Sequence, residues 1–148
     1  MKKILVSACL LGEKCRYDGK SKPCGSVIKL SERFDLVPIC PEVFGGLPTP
    51  RIPAEIVDGA VLRKDGVDVT NNYKIGAQKA LDIAIQNNIK IAVLKEKSPS
   101  CGKDIIHNGK FDGELSRGNG ITVNLFLKHG INVYKESEVD KLLNDIER

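Results

Sequence analysis

Short apolar runs alternate with helical patterns along the chain, and this alternation limits the fold more than any other feature. Four runs have the length and composition of buried strands: residues 3–8, 36–39, 89–95 and 131–135. Helical patterns lie between and after them: residues 25–34, 73–86, 121–129 and 137–147. Strands separated by helices form βαβ units, with parallel strands and helices on both faces of the sheet. The sequence therefore predicts an α/β fold, a three-layer Rossmann-like sandwich with a small, mostly parallel sheet.

Two turn signals outside these elements predict hairpin insertions. Asp65-Gly66 lies within residues 60–69, and Asn108-Gly109 lies within residues 104–113. Asp-Gly and Asn-Gly pairs favour the two-residue turns of β-hairpins, because both positions of such turns require positive φ. No repeat, linker or low-complexity segment interrupts the sequence. We therefore predict one domain over residues 1–148.

Polar residues mark the expected starts of two helices. Asp68, Thr70 or Asn71 is expected to cap the helix over residues 73–86, where apolar residues recur at intervals of three and four. Ser137 is expected to cap the last helix, whose first turn carries acidic residues that suit the helix dipole. These caps set where each helix is predicted to begin.

The composition excludes several classes of protein. No apolar run approaches the roughly 20 residues that span a membrane, and the N-terminal stretch lacks the cleavage pattern of a secretory signal. The net charge of +4 is mild, and no basic run is interleaved with the few aromatic residues. The sequence therefore predicts a cytoplasmic protein with no membrane partner; the charge disfavours a nucleic-acid partner and is compatible with an anionic or electron-rich small substrate. It leaves the oligomeric state open.

Five cysteines are an odd number for a chain of this kind. In a cytoplasmic protein this argues against a disulfide framework and for reduced thiols that bind a metal or act in catalysis. Cys24, in "SKPCGSV", is interpreted as a small, buried apolar residue. The other four cysteines are candidates for a functional site.

Three of these cysteines lie at or just past the ends of predicted strands. Cys9, Cys40 and Cys101 follow the first, second and third apolar runs. Ligands of open α/β sheets bind beyond the carboxyl ends of the strands, and neighbouring strands are only about 4.8 Å apart. Three convergent thiolates predict a metal centre with an open position, either a zinc enzyme or an iron–sulfur site. Cys15 could add a fourth thiolate, but it lies farther into its loop, so the three-thiol site is preferred.

Candidate acid–base and substrate-binding groups lie beside these thiols in the sequence. Glu42 follows Cys40 by two residues, and a carboxyl beside a desolvated metal site suits proton transfer; a helix-start carboxylate is the alternative. The hydroxyls of Ser98 and Ser100 and the backbone around Gly102 are candidates to bind substrate carbonyl oxygens. They are equally consistent with a turn, the commoner role of serine beside proline and glycine.

Other polar residues give weaker signals. Arg51 and Glu55, in "LPTPRIPAE", are interpreted as a structural ion pair in preference to a substrate clamp. His107 and His129 have no partner at metal-ligand spacing. We therefore assign neither histidine a role from the sequence.

Four segments taken together resemble the bacterial thiouracil desulfidase family. They are "SACLLGEKCRYDGK", "CPEVFGGLPTPRIPAE", "DVTNNYKIGAQKAL" and "VLKEKSPSCG". Each segment alone is a modest signal, but the ordered set is specific and spans nearly the whole chain. The length matches the single-domain members of that family.

The resemblance implies a [4Fe-4S] cluster held by three cysteines. By motif these are Cys9, Cys40 and Cys101, and the fourth iron would bind the sulfur of a thiocarbonyl such as that of 2-thiouracil. Water would then replace sulfur at carbon, giving the oxo base and sulfide without net redox chemistry. The resemblance further implies that Glu42 handles protons and that Ser100 contacts the substrate or its intermediate. The implied partner is therefore a small thiolated nucleobase.

Two alternatives from other classes remain at this point. A cysteine-nucleophile phosphatase or arsenate reductase places a Cys-x5-Arg loop after its first strand, but Arg16 comes one residue late for that loop, and Cys40 and Cys101 would go unexplained. A structural zinc or persulfide-carrying module would use Cys15 as a ligand and would leave Glu42 without a role. Loss of metal in Cys15→Ser, but not in Cys101→Ser, would favour the module.

Overall fold

Strands and helices alternate along the chain as the sequence predicts. The computed structural model describes residues 1–147. Its elements, in chain order, are β1 (Lys3–Ser7), α1 (Gly25–Ile28), β2 (Asp35–Ile39), α2 (Pro41–Phe44), β3 (Ala54–Val57), β4 (Ala60–Arg63), α3 (Thr70–Gln86), β5 (Ile91–Leu94), β6 (Ile105–His107), β7 (Leu115–Arg117), α4 (Ile121–Lys128), β8 (Asn132–Lys135) and α5 (Val139–Ile146). Short 3-10 helices cover Ala8–Leu11, Lys29–Glu32 and Glu136–Glu138.

The central sheet has four parallel strands in the order β2-β1-β5-β8. In the middle of the sheet, Leu5 of β1 pairs with Val37 of β2 on one side and with Ala92 of β5 on the other. β8 completes the sheet beside β5. Because every connection between these strands crosses over the sheet, their carboxyl ends all lie at one edge. The predicted parallel sheet is confirmed.

Side chains of the central strands alternate between two apolar layers. Leu5 packs with Leu81 and Phe126 in the layer that holds α3 and α4. Its neighbours in sequence, Ile4 and Val6, pack on the opposite face in the layer that holds α1 and α5. Each such residue is fully buried, which stabilises the fold by about 1.5–3 kcal/mol per side chain. The three-layer α/β arrangement is therefore confirmed.

The hairpin insertions differ in detail from the sequence prediction. β3 and β4 turn at Asp58-Gly59, where both residues have positive φ, and this pair provides the backbone conformation that the predicted turn required. At Asp65-Gly66 there is only a turn with one bridge, between Leu62 and Asp68, because the chain enters α3 immediately afterwards. The second hairpin joins β6 and β7, as predicted, but through the longer loop of residues 108–114.

The helix starts are partly as predicted. None of the three predicted residues is the N-cap of α3: Val69 occupies that position without a side-chain cap, although the carboxylate of Asp68 accepts a hydrogen bond from the backbone N–H of Thr70 at 2.8 Å. The prediction for Ser137 is wrong: its hydroxyl donates to Glu96 at 2.8 Å, and α5 begins two residues later. A 3-10 turn precedes α5, and there the Glu138 carboxylate accepts the backbone N–H of Lys135. The Glu138 carboxylate therefore caps the 3-10 turn, and no side chain caps the start of α5.

Close packing of α2 against α3 fixes the segment that follows β2. Gly76, in the middle of α3, lies directly against the backbone carbonyl of Pro41 in α2, so that no Cβ fits between them. Gly45 approaches the carbonyl of Asn72 in the same way. The close approach at Gly76 and Gly45 therefore holds α2 at the carboxyl edge of the sheet.

The longest helix of residues 1–147 is α3, with 17 residues. No helix in this range is long and apolar enough to cross a membrane.

We expect Gly76→Ala to lower the free energy of unfolding by about 1–3 kcal/mol, because the added methyl group would displace the Pro41 carbonyl. Urea denaturation measures the loss. Gly25→Ala is the matched control: no atom lies within 4 Å of a Cβ added there, and we expect a change below about 1 kcal/mol. Equal losses in the two variants would contradict the packing argument.

Candidate active site

The carboxyl ends of β1, β2 and β5 bring three cysteines to one pocket. Cys9 lies in the 3-10 helix Ala8–Leu11 that follows β1, and Cys40 follows β2 directly. Cys101 follows β5 after the turn of residues 95–100. The three strands are neighbours in the sheet, and all three cysteines line one pocket of about 490 Å³. The structure thus places these thiols together, while their role as metal ligands remains a prediction.

Cys15 lines the same pocket, although the sequence made it the weaker candidate. The loop folds back over the end of β1, with the backbone N–H of Lys22 donating to the carbonyl of Cys9 at 2.9 Å. Arg51 Nη2 donates to the Cys15 carbonyl at 2.8 Å, and Cys40 Sγ lies 3.9 Å from the same oxygen. Cys15 reaches the pocket because the guanidinium of Arg51, from a distant segment, holds its loop inward, and its lower rank as a metal ligand stays a prediction.

Three of the pocket thiols, those of Cys15, Cys40 and Cys101, have pKa values raised by burial and by neighbouring groups. Hydrogen bonding with Cys40 lowers the pKa of Cys15, but contact with Cys9 and burial outweigh it and raise that pKa to about 11. Contact with Cys15, together with burial, raises the pKa of Cys40. Burial raises the pKa of Cys101 to about 12, against hydrogen bonds from two serine hydroxyls. A thiolate is costly here without a compensating cation, so this cluster of thiols suits a metal-containing group.

The spacing of the thiols bears on the kind of metal group. Within residues 1–147, no three Cys, His, Asp or Glu side chains gather closely enough to bind a single metal ion. A structural zinc site needs four ligands around one ion at about 2.0–2.3 Å, so the zinc-module alternative is not supported by this geometry. In an iron–sulfur cluster each thiolate binds a different iron atom, so the thiolates need not meet at one ion. The donor set therefore fits a polynuclear cluster.

Glu42 is held at the pocket by two side chains. It lies in the first turn of α2, and its Oε1 accepts a hydrogen bond from the Tyr73 hydroxyl at 2.7 Å and from Arg51 Nε at 3.2 Å. The Arg51 side chain is only 6% exposed. Burial and the nearby Glu42 carboxylate raise the pKa of Tyr73, which keeps its hydroxyl a donor. The sequence missed both partners, since neither stands near Glu42 along the chain.

The ion pair predicted between Arg51 and Glu55 is wrong. Arg51 pairs with Glu42 instead. The buried carboxylate of Glu55 accepts hydrogen bonds from the backbone N–H groups of Gly109, at 2.9 Å, and Phe111, at 3.3 Å. Glu55 thus connects the β3–β4 hairpin to the loop of the β6–β7 hairpin. The alternation of strands and helices in the sequence does not predict a contact between two hairpins.

The serine-rich turn before Cys101 is mostly structural. The Ser98 hydroxyl accepts hydrogen bonds from the backbone N–H groups of Ser100 and Cys101, each at 2.9 Å. Ser100 is fully buried, with its hydroxyl 2.7 Å from that of Thr122. Gly102 is buried too, and of the three predicted substrate contacts only Ser98 lines the pocket. The catalytic role of Ser100 and the substrate contacts of Ser98, Ser100 and Gly102 therefore stay predictions.

The pocket carries more basic than acidic side chains. Six of its lining residues are basic and three are acidic: Arg16, Lys22, Arg51, Lys64, Lys95 and Lys97, with Glu42, Glu55 and Glu96. Some of this charge is paired inside the protein, as in the 2.7 Å contact between Lys95 and Glu136. This excess of basic side chains favours the binding of an electron-rich or anionic small molecule.

The loop after β1 does not fit the cysteine-phosphatase alternative. Its backbone N–H groups are used internally, with Gly12 donating to the carbonyl of Cys9 and Glu13 donating to that of Ala8. Arg16 lies 3.8 Å from the Asp18 carboxylate. An oxyanion-binding loop needs free N–H groups around the nucleophile, and those of Gly12 and Glu13 are already bonded to backbone carbonyls.

Comparisons with known proteins relate the chain to thiouracil desulfurases. The model of a family described as 2-thiouracil desulfurase matches residues 4–138. YbbK of Bacillus subtilis (strain 168), described as an uncharacterized protein, is 40% identical over 150 residues, covering 95% of this chain and 99% of that protein. A solved structure named [4Fe-4S]-dependent thiouracil desulfidase TudS is 43% identical, with a TM-score of 0.93 and 99% of each chain covered. These findings agree with the resemblance carried by the four motif segments.

Proposed function

The chain belongs to the 2-thiouracil desulfurase family, and from this premise we propose that it converts a thiouracil-type nucleobase to its oxo form and releases sulfide. The observation that carries the proposal is the group of buried thiols at the carboxyl edge of the sheet, around a pocket that also holds Glu42. The pocket volume of about 490 Å³ lies within the usual range for small-molecule sites, roughly 300–1,000 Å³.

Cys9, Cys40 and Cys101 would hold a [4Fe-4S] cluster. The buried thiols and the structural likeness to a [4Fe-4S]-dependent desulfidase support this choice. When bound, the cluster would supply a soft Lewis-acidic iron for the thiocarbonyl sulfur. The Cys15 thiol contacts those of Cys9 and Cys40, so it is the further thiol that stands beside the proposed ligands.

Glu42 is the residue placed to move protons. Its Oε1 is occupied by Tyr73 and Arg51, so Oε2 is the oxygen that would accept a proton from the attacking water. The water oxygen forms a bond to the thiocarbonyl carbon, and the carbon–sulfur bond breaks as the carbonyl forms. Glu42 then returns its proton to the departing sulfur, and the second proton of the water leaves the new C–OH group as the carbonyl forms and passes through solvent to the sulfide. Atoms balance as one water consumed and one hydrogen sulfide released, with no electron donor or acceptor.

Anaerobic reconstitution with iron and sulfide tests the proposal. We expect a brown protein with about four irons per chain, which converts 2-thiouracil to uracil with stoichiometric release of sulfide. In water enriched in ¹⁸O, the new carbonyl oxygen of uracil should carry the label. The matched control is the same protein after removal of iron by a chelator. A reconstituted protein that releases no sulfide from 2- or 4-thiouracil would contradict the proposed function.

A further inference from the structure

We propose that the loop of the β6–β7 hairpin is the wall of the pocket that recognises the heterocyclic base. In this assignment Phe111 stacks on the ring of the base, and His107 forms a hydrogen bond with its polar edge. The inference rests on the proposed function and deepens it, since it concerns how the substrate is held and not how sulfur is removed. Both residues line the same pocket as the thiols.

His107 has an unused hydrogen-bonding atom. Its Nδ1 is buried and has no partner among the residues that the structure describes. A buried polar atom without a partner is unfavourable and uncommon in folded proteins. With the imidazole turned toward the pocket that His107 lines, a ring N–H or carbonyl oxygen of a bound pyrimidine would satisfy it, because neutral imidazole nitrogens act as either donor or acceptor.

Phe111 is held in a backbone conformation that it would not adopt by itself. Its φ is +55°, which is unusual for a bulky residue and is found where surrounding contacts impose it. The contacts come from Glu55, whose buried carboxylate accepts the N–H groups of Phe111 and Gly109. Gly109 also lies so close to the carbonyl of Ile56 that a Cβ would collide with it. The hairpin loop is therefore fixed on β3, with Phe111 set at the pocket before any ligand binds.

The chemistry of this wall matches a planar, polar ring. An aromatic side chain can stack on any nucleobase. An imidazole in the same pocket can form hydrogen bonds with the donors and acceptors at the edge of the base. The thiols line the same pocket as Phe111 and His107. A thiobase stacked on Phe111 would thus present its sulfur to the cluster side while its remaining polar atoms face the hairpin.

Phe111→Leu tests the stacking contact. In the reconstituted enzyme we expect KM for 2-thiouracil and the inhibition constant of uracil to rise about tenfold each, with kcat changed less than about threefold. Uracil lacks sulfur, so its inhibition constant reports the hairpin wall independently of any iron–sulfur contact. Leu115→Ala, on the same hairpin but outside the pocket, is the control and should leave both constants unchanged.

Two replacements of His107 separate its hydrogen bond from its shape. His107→Phe keeps a ring without nitrogen and should raise both constants about tenfold. His107→Asn returns a hydrogen-bonding group near the place of Nδ1 and should recover most of that loss. The cluster absorption spectrum and the melting temperature should stay as in the wild type for every variant, which excludes a folding defect.

The outcomes distinguish this inference from the function on which it rests. If the wild type desulfurates thiouracil while Phe111→Leu and His107→Phe keep the wild-type KM and uracil inhibition constant, base recognition by the hairpin loop is refuted and the desulfidase function is supported. The reconstituted wild type could instead release no sulfide but still bind labelled uracil in equilibrium dialysis, with weaker binding in Phe111→Leu. That result would support base recognition by the hairpin loop and refute the desulfidase function.

Discussion

Replacing Cys101 with serine is expected to remove the cluster and to lower desulfurase activity by more than about a hundredfold. Mutations of residues that only support metal ligands already cost about 10–100-fold, and serine offers a hard oxygen where iron–sulfur clusters prefer soft thiolates. Cys101 is nearly fully buried between the other pocket thiols and Ser100, so no solvent-exposed group can take its place. Iron content, the visible absorption spectrum and sulfide release measure the effect.

Cys24→Ser is the matched control for this prediction. Cys24 lies outside the pocket, where its thiol is 3.4 Å from the Ser26 hydroxyl, and its replacement should leave iron content and activity unchanged. Cys15→Ser distinguishes the two metal hypotheses. Retained iron in Cys15→Ser and lost iron in Cys101→Ser would support the three-thiol cluster; the reverse result would favour a structural metal module.

The sequence was sufficient to predict the sheet and the meeting of its strand ends. Buried parallel strands appear as continuous apolar runs because both faces are covered, and β1 and β5 follow that rule, with nearly every residue buried. The sequence placed their carboxyl ends at the same edge, and the observed order β2-β1-β5-β8 makes the three cysteine-bearing strands neighbours there. Cys9, Cys40 and Cys101 could therefore be grouped before any contact was known.

The parts of the site that the sequence did not predict depend on side chains that reach across the fold. Arg51 comes from a loop, Tyr73 from α3 and Glu42 from α2, and only tertiary packing brings them into one hydrogen-bond network. The buried position of Ser100 follows from its contact with Thr122 in α4. The periodicity of apolar residues shows which face of a helix or strand is buried. It does not show which polar side chains of different elements form hydrogen bonds with one another.

Glu42→Gln is expected to lower kcat by about 10²–10⁴-fold, the usual contribution of a positioned general acid–base group, with KM for 2-thiouracil little changed. Glutamine has nearly the shape of glutamate, and its amide oxygen still accepts the hydrogen bonds that Tyr73 and Arg51 donate to Oε1. The fold and the cluster should therefore survive, as the absorption spectrum and melting temperature would verify, and only the proton transfer at Oε2 is lost.

The control for Glu42 is Glu32→Gln, which removes the same charge from an exposed 3-10 helix outside the pocket. We expect it to keep wild-type kcat and KM. Single-turnover measurements separate substrate binding from chemistry, so a pure loss of proton transfer should slow the release of sulfide without weakening the binding of uracil. Wild-type kcat in Glu42→Gln would instead mean that water attacks without this carboxylate, and the network of Arg51 and Tyr73 would then serve only to anchor α2 beside the thiols. The two results assign the same three side chains either to catalysis or to the architecture of the pocket.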